Sequence, residues 1–177
     1  IRLHYQPQLD LATGTIIGTE GLLRWQSELN GNIPPSLFIP IAEESGLILT
    51  LGDFVIETAL QQTAQWRQQG LNMGSIAINV SAAQLKQSTF FEFVSSACKK
   101  HHLAPELVNL EITESLLMDD YDTAVELLQT LRGGGFSIAL DDFGTGFTSL
   151  QQLLHLPFTE LKIDRSLISN IQQDHFS

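Results

Sequence analysis

The chain has 177 residues, 43% of them hydrophobic and only 16% charged, which suits one compact domain with a sizeable core and excludes a disordered linker or fibrous repeat. Its 20 Asp and Glu against 9 Lys and Arg give a formal charge of -11, a sign that repels a polyanionic backbone and argues against DNA or RNA as partner. Cys98 is the single cysteine, so intrachain disulfides and multi-cysteine metal sites are excluded, and a reducing cytoplasm is the expected compartment.

In chain order, Leu3 to Gln8 and Thr15 to Trp25 read as two strands joined at the turn Ala12-Thr13-Gly14, a plausible hairpin. Leu37 to Glu44 reads as a short helix closed by Gly46. A long amphipathic helix from Gly52 to Gln69 follows, with Phe54, Ile56, Ala59, Leu60, Ala64 and Trp66 on its apolar side and Gly70 as its stop. Ser75 to Val80 is a strand, Ser81-Ala82-Ala83-Gln84 has the form of a capping box, and Phe90 to Lys100 is helical. Leu107 to Thr113 is a strand, Tyr121 to Leu131 a helix ended by Gly133-Gly134-Gly135, and Phe136 to Asp141 a strand. Phe147 to Leu156 reads as a helix and Glu160 to Asp164 as a last short strand. Strands alternating with helices over short connections predict a mostly parallel sheet with helices outside, either an open doubly wound sheet or a (β/α) barrel.

A polar residue follows the apolar run of strand after strand: Glu20, Asn79, Glu111, the pair Asp141-Asp142, and Lys162. One acid in such a place is more often a helix cap or a solvated loop residue than a ligand. Five strands delivering such groups to one rim is the layout of a barrel active site. Four carboxylates brought together would raise one another's pKa values unless compensated, and oxygen ligands suit Mg²⁺ or Mn²⁺, with Asn79 as a neutral acceptor. The adjacent Asp141 and Asp142 could reach two ions, the pair that clamps the attacking and leaving oxygens at phosphorus. Lys162 could orient water or neutralise developing charge, and Arg24 could hold a phosphate or stack on a base; each could equally form an ordinary salt bridge. Gly144-Thr145-Gly146 is too short for a phosphate loop and suits a mobile loop over the site, while the five histidines show no metal spacing.

Tyr5-Gln6-Pro7, Glu20-Gly21-Leu22-Leu23-Arg24-Trp25, Phe38-Ile39-Pro40 with Ala42-Glu43-Glu44, Asn79-Val80-Ser81, Leu110-Glu111-Ile112-Thr113-Glu114-Ser115, Asp141-Asp142-Phe143-Gly144-Thr145-Gly146 and Leu161-Lys162-Ile163-Asp164-Arg165 occur in order along the chain. Together they resemble the EAL domain of bacterial cyclic di-GMP phosphodiesterases. The resemblance implies an α/β fold, a modified (β/α)8 TIM-type barrel with an antiparallel first strand, here incomplete at the C-terminus, with residues 1–177 as a single EAL domain. It implies Mg²⁺- or Mn²⁺-dependent hydrolysis of cyclic di-GMP to linear pGpG, two ions being expected. By motif position Glu20, Asn79, Glu111, Asp141 and Asp142 would be metal ligands and Lys162 would contact the nucleophilic water. Arg24 would hold a substrate phosphate, Gln6 and Leu22 would lie against the nucleotide, and Glu114 would brace the loop 142–149.

The resemblance further implies a homodimer formed through this domain, and it leaves room for GGDEF or sensory domains in the same parent chain and for an inner-membrane anchor in segments outside this chain. Two departures from the family pattern bear on activity. Glycine replaces alanine in Glu20-Gly21-Leu22, which loosens the backbone mildly. The chain also stops short of the roughly 250 residues of a full barrel, so a continuation past Ser177 or a second chain is expected to complete the sheet, and the chain alone is expected to show negligible turnover. The alternative function is an inactive EAL receptor that binds the nucleotide or a partner protein and signals by conformation.

Overall fold

The computed structural model describes residues 1–114, 121–144 and 156–169. Two strands open the chain, β1 (Arg2–Leu9) and β2 (Ile16–Ser27), followed by the short β3 (Gly31–Ile33) and the helices α1 (Pro35–Glu44) and α2 (Leu47–Gln68). Then come β4 (Ser75–Asn79), α3 (Ala82–Leu85), α4 (Phe90–Lys100), a single 3₁₀ turn at Pro105–Leu107, β5 (Val108–Thr113), α5 (Tyr121–Gly133), β6 (Ser137–Phe143), β7 (Glu160–Ile163) and α6 (Arg165–Ser169). The strand order is β1-β2-β4-β5-β6-β7 with β3 on the side of β2. β1 pairs antiparallel with β2 and every later neighbour pairs parallel, so the expected barrel-type sheet with a reversed first strand is present, open between β7 and β1 among the described residues.

Local chemistry accounts for most of the elements. The β1–β2 turn is set by Asp10, whose Oδ1 accepts from the backbone N–H groups of Ala12 and Thr13 at 2.8 and 2.9 Å, and these bonds hold its carboxyl below the usual range. The capping box expected at Ser81 is present: Ser81 Oγ accepts from the Gln84 N–H and Gln84 Oε1 accepts from the Ser81 N–H. The long helix α2 begins five residues earlier than the periodicity predicts. Gly46 does not simply close α1; at φ 74° it makes the left-handed link from which α2 starts.

Alternation along the strands sorts the sheet into two faces. Ile76, Ile78, Val108, Leu110, Ile112, Ile138 and Leu140 share the outer face, where they are fully buried against Ile56 and Leu60 of α2, Val94 of α4, and Leu128 and Leu131 of α5. The inner face carries Gln6, Glu20, Ala77, Asn79, Asn109, Glu111, Ser137, Ala139, Asp141, Glu160 and Lys162, placed there by the register. Small and polar side chains on one face and branched apolar ones on the other set the core between sheet and helices and leave the inner face for chemistry.

The structure adds one strand, corrects the placement of Glu20 and leaves two expected segments largely outside the described residues. β3 escapes the sequence reading because three residues are too few to show alternation. Glu20 is not at the end of its strand: β2 pairs with β4 only over Gly18–Gly21, then runs on to pair Trp25–Ser27 with β3. The helix expected at Phe147 to Leu156 lies outside the described residues except for Leu156, a buried bend residue, and so does most of the glycine loop after Asp142.

Candidate active site

The stagger of the strands brings the candidate residues together. Asn79 pairs with Glu111, Glu111 with Ala139, and Thr113 with Asp141, so the polar residues climb by one pleat as they cross from β4 to β6. Tilted strands in a barrel put such offset positions at a similar height above the axis. The result is a cage around one ammonium: Lys162 Nζ lies 2.8 Å from Glu111 Oε1, 3.1 Å from Asp141 Oδ2 and 3.4 Å from Glu20 Oε2. Asn79 Nδ2 donates to Glu20 Oε1 at 3.1 Å, which fixes the second oxygen of that carboxylate.

A bulge in the sheet places the adjacent aspartates. On β6 and β7 the register runs through Leu140↔Leu161 and resumes at Phe143↔Ile163, so Asp141 and Asp142 together face Lys162. Asp142 takes φ 55° there, a left-handed conformation that Asp tolerates better than most residues, and its N–H donates to Asp141 Oδ1 at 2.9 Å. Both carboxylates therefore project from one short segment, as the sequence reading required.

The electrostatics follow from burial. Glu111 is 1% exposed, and desolvation, with the charges of Glu20 and Asp141 in support, pushes its carboxyl up to about 8 even though Lys162 pulls the other way. Burial alone would lower the Lys162 ammonium, yet the close carboxylate of Glu111 with the charge of Glu20 and the bond to Asp141 outweigh it and hold the group above its ordinary range. Asp142 is raised by desolvation and by Asp141 beside it. One ammonium against Glu20, Glu111, Asp141 and Asp142 leaves the cage short of positive charge.

A cleft of about 560 Å³ opens over this cage and is lined by Glu20, Leu22, Arg24, Asn79, Glu111 and Asp142 of the expected set, a volume typical of a small-molecule site. Arg24 is held at its wall by a bond from Nη1 to the Leu23 carbonyl at 2.8 Å. Gln6 lies outside the cleft lining but is the cross-strand partner of Glu20, on the same face and exposed. Glu114 is buried at the end of β5, and most of the loop it was expected to brace is outside the described residues. The apolar wall of the cleft, Ile39, Pro40, Ile48, Leu51 and Val55, was not anticipated. The spacing of Ile48, Leu51 and Val55 carries a helical signal that an earlier start of α2 would have exposed. Gly21 sits tightly here: a methyl group in its place would meet Leu3 Cδ2 at 3.2 Å, a flexible side-chain end, so alanine would need only a small shift.

The donor set suits a hard divalent cation. Both oxygens of Glu111 are buried with no hydrogen-bond donor, the Lys162 contact at 2.8 Å being an ion pair without hydrogen-bond geometry, and the nearby donors are carboxylate and amide oxygens. Among the described residues no three His, Cys, Asp or Glu side chains stand around one point as ligands; the Lys162 ammonium is at the centre. No helix among the described residues is long and apolar enough to cross a membrane.

Residues 1–176 match the family model of the EAL domain, and the chain belongs to that family. It is 41% identical over 172 residues to the Pseudomonas aeruginosa bifunctional diguanylate cyclase/cyclic di-GMP phosphodiesterase MucR, covering 97% of this chain and 25% of that protein. It is 40% identical over 168 residues to the Escherichia coli oxygen sensor protein DosP, covering 95% of this chain and 21% of that protein. The chain thus spans a quarter or less of these relatives. Among solved structures, the PaMucR phosphodiesterase in complex with c-di-GMP superimposes with a TM-score of 0.91 at 41% identity, covering 98% of this chain and 70% of the other. The FimX EAL domain from Pseudomonas aeruginosa bound to c-di-GMP does so at 0.85 with 26% identity, covering 97% and 69%.

Proposed function

We propose that this domain hydrolyses cyclic di-GMP to linear pGpG with Mg²⁺ or Mn²⁺ as cofactor, two ions being held by Glu20, Asn79, Glu111, Asp141 and Asp142. The observation that carries the reading is the convergence of Glu20, Glu111 and Asp141 on Lys162 beneath a cleft that also holds Asn79, Asp142 and Arg24. The cyclic di-GMP in the PaMucR structure and the phosphodiesterase named in its relative MucR support the ligand and the chemistry. When bound, the ions would supply charge to the phosphoryl oxygens and lower the pKa of a water.

The remaining work falls to the side chains. Water adds across one P–O3′ bond, its hydroxyl going to phosphorus and its proton to the departing 3′ oxygen, which yields a 5′-phosphate. Lys162 is held as an ammonium by its carboxylates, so it acts as a hydrogen-bond donor that orients the water and stabilises the developing charge. Arg24, with one N–H spent on Leu23, presents the rest of its planar fork to a phosphate at the cleft wall. Leu22 and the apolar wall lie along the nucleotide, Gln6 approaches it beside Glu20, and Glu114 steadies the loop that follows Asp142.

The parent protein is proposed to be a cytoplasmic signalling enzyme that dimerises through this domain. Glu20→Ala and Asp141→Ala, made in the protein that carries this chain, test the site. Each should abolish pGpG formation while leaving the far-UV spectrum unchanged, and parental turnover in either would sink the assignment. Saturable cyclic di-GMP binding without turnover in the parent would mark a receptor instead.

A further inference from the structure

Lys162 meets its carboxylates only while β7 keeps its place in the sheet, and the ladder does little to keep it there. β7 is four residues long, and its Leu161 and Ile163 are 47% and 53% exposed, so little apolar burial fixes it. Its pairing with β6 slips immediately after Leu140↔Leu161, at the bulge opposite Lys162. A slip of one residue would turn Lys162 to the opposite face.

Side chains below the bulge tie the strand down. Asn109 on β5 donates from Nδ2 to Glu160 Oε2 on β7 at 2.7 Å, passing across β6 where the inner face carries only Ser137 and Ala139. Thr159 holds the entry to β7, its hydroxyl and N–H donating to the Ile138 carbonyl at 3.0 and 2.8 Å and its Oγ1 accepting from the Ile138 N–H at 3.0 Å. Asn109 is 4% exposed and its Oδ1 is buried without a partner. A leucine of similar size would leave no such orphan, so the amide is costly at this position and its return is the bond to Glu160.

We infer that Asn109 is a positioning residue: through Glu160 it sets the register of β7, so that Lys162, two residues further along the same face, meets Glu111 and Asp141. The inference rests on the role proposed for Lys162.

The test compares Asn109→Leu, Glu160→Ala and Glu160→Gln with the parent protein, measuring kcat and KM for cyclic di-GMP and amide hydrogen exchange along β7. Asn109→Leu and Glu160→Ala should each lower kcat about tenfold with KM within about twofold, and should speed exchange about tenfold at residues 160–163 while β4 and β5 stay protected. Glu160→Gln keeps the acceptor and should stay within about twofold of the parent. Parental kcat and exchange in Asn109→Leu would overturn the inference. So would loss of protection across the whole sheet with kcat and KM failing together, which makes Asn109 an ordinary fold residue. If the parent itself turns over no cyclic di-GMP, the functional reading fails, and the exchange arm still decides the tie: faster exchange confined to β7 upholds it and unchanged exchange removes it.

Discussion

Glu111→Gln should make the protein more stable and inactive. Glu111 lies on the inner face of β5, 1% exposed, with its carboxyl raised from 4.5 to about 8 by desolvation above all. At 1.36 kcal/mol per unit, keeping that group ionised costs the folded state roughly 4–5 kcal/mol at pH 8. Glutamine keeps the shape and an acceptor for Lys162 and has no charge to desolvate. Its buried amide N–H offsets about 1 kcal/mol or more of the gain, leaving roughly 2–4 kcal/mol. The sign with pH follows from the folded value lying above the unfolded one: the folded parent keeps its proton through the window from about 4.5 to 8 and loses stability as pH rises across it. Urea unfolding with a chelator present should therefore show the variant ahead by roughly 2–4 kcal/mol at pH 8 and level with the parent or about 1 kcal/mol behind it near pH 4.5. Adding Mn²⁺ should raise the parent more than the variant, because an ion bound only by the folded state stabilises it. A variant no more stable than the parent at pH 8, or a difference indifferent to pH, would refute the reasoning.

Lys162→Ala should lower kcat by about 100-fold or more with little change in cyclic di-GMP affinity, since its proposed bond is made to the reacting centre; an unchanged kcat would remove its role. Leu110→Ala, at a fully buried position facing the helices, should cost about 2–5 kcal/mol in chemical denaturation, and a cost well under 1 kcal/mol would mean that the core has been misplaced. Gly52→Ala would drive a methyl group into the buried amide of Gln84. It should lower stability by about 1–3 kcal/mol and raise KM by deforming the cleft wall, and parental values for both would contradict the packing.

The parallel architecture and most of the site were legible because both depend on periodicity. Ser75–Asn79, Val108–Thr113 and Ser137–Phe143 are short apolar runs that a parallel sheet under helices buries, and Asn79, Glu111 and Asp141 stand out as polar interruptions on them. What escaped depends on partners distant in sequence. The start of α2 turns on the left-handed Gly46, and the extension of β2 on β3, which has no pattern of its own. The bulge at Asp141 and Asp142 is a mismatch between two strands and so is invisible in either. Asn109 read as an ordinary strand residue, because the carboxylate that explains it is 51 residues away. The sequence pointed to mutual repulsion among four carboxylates without singling one out; at Glu111 burial is the larger cause.

The most direct test is turnover of cyclic di-GMP by the protein that carries this chain, followed by chromatography with Mg²⁺ or Mn²⁺ and again with a chelator. Appearance of pGpG with metal, and none with chelator, is the predicted result. Product that forms equally with chelator, or none under either condition despite saturable nucleotide binding, would contradict it.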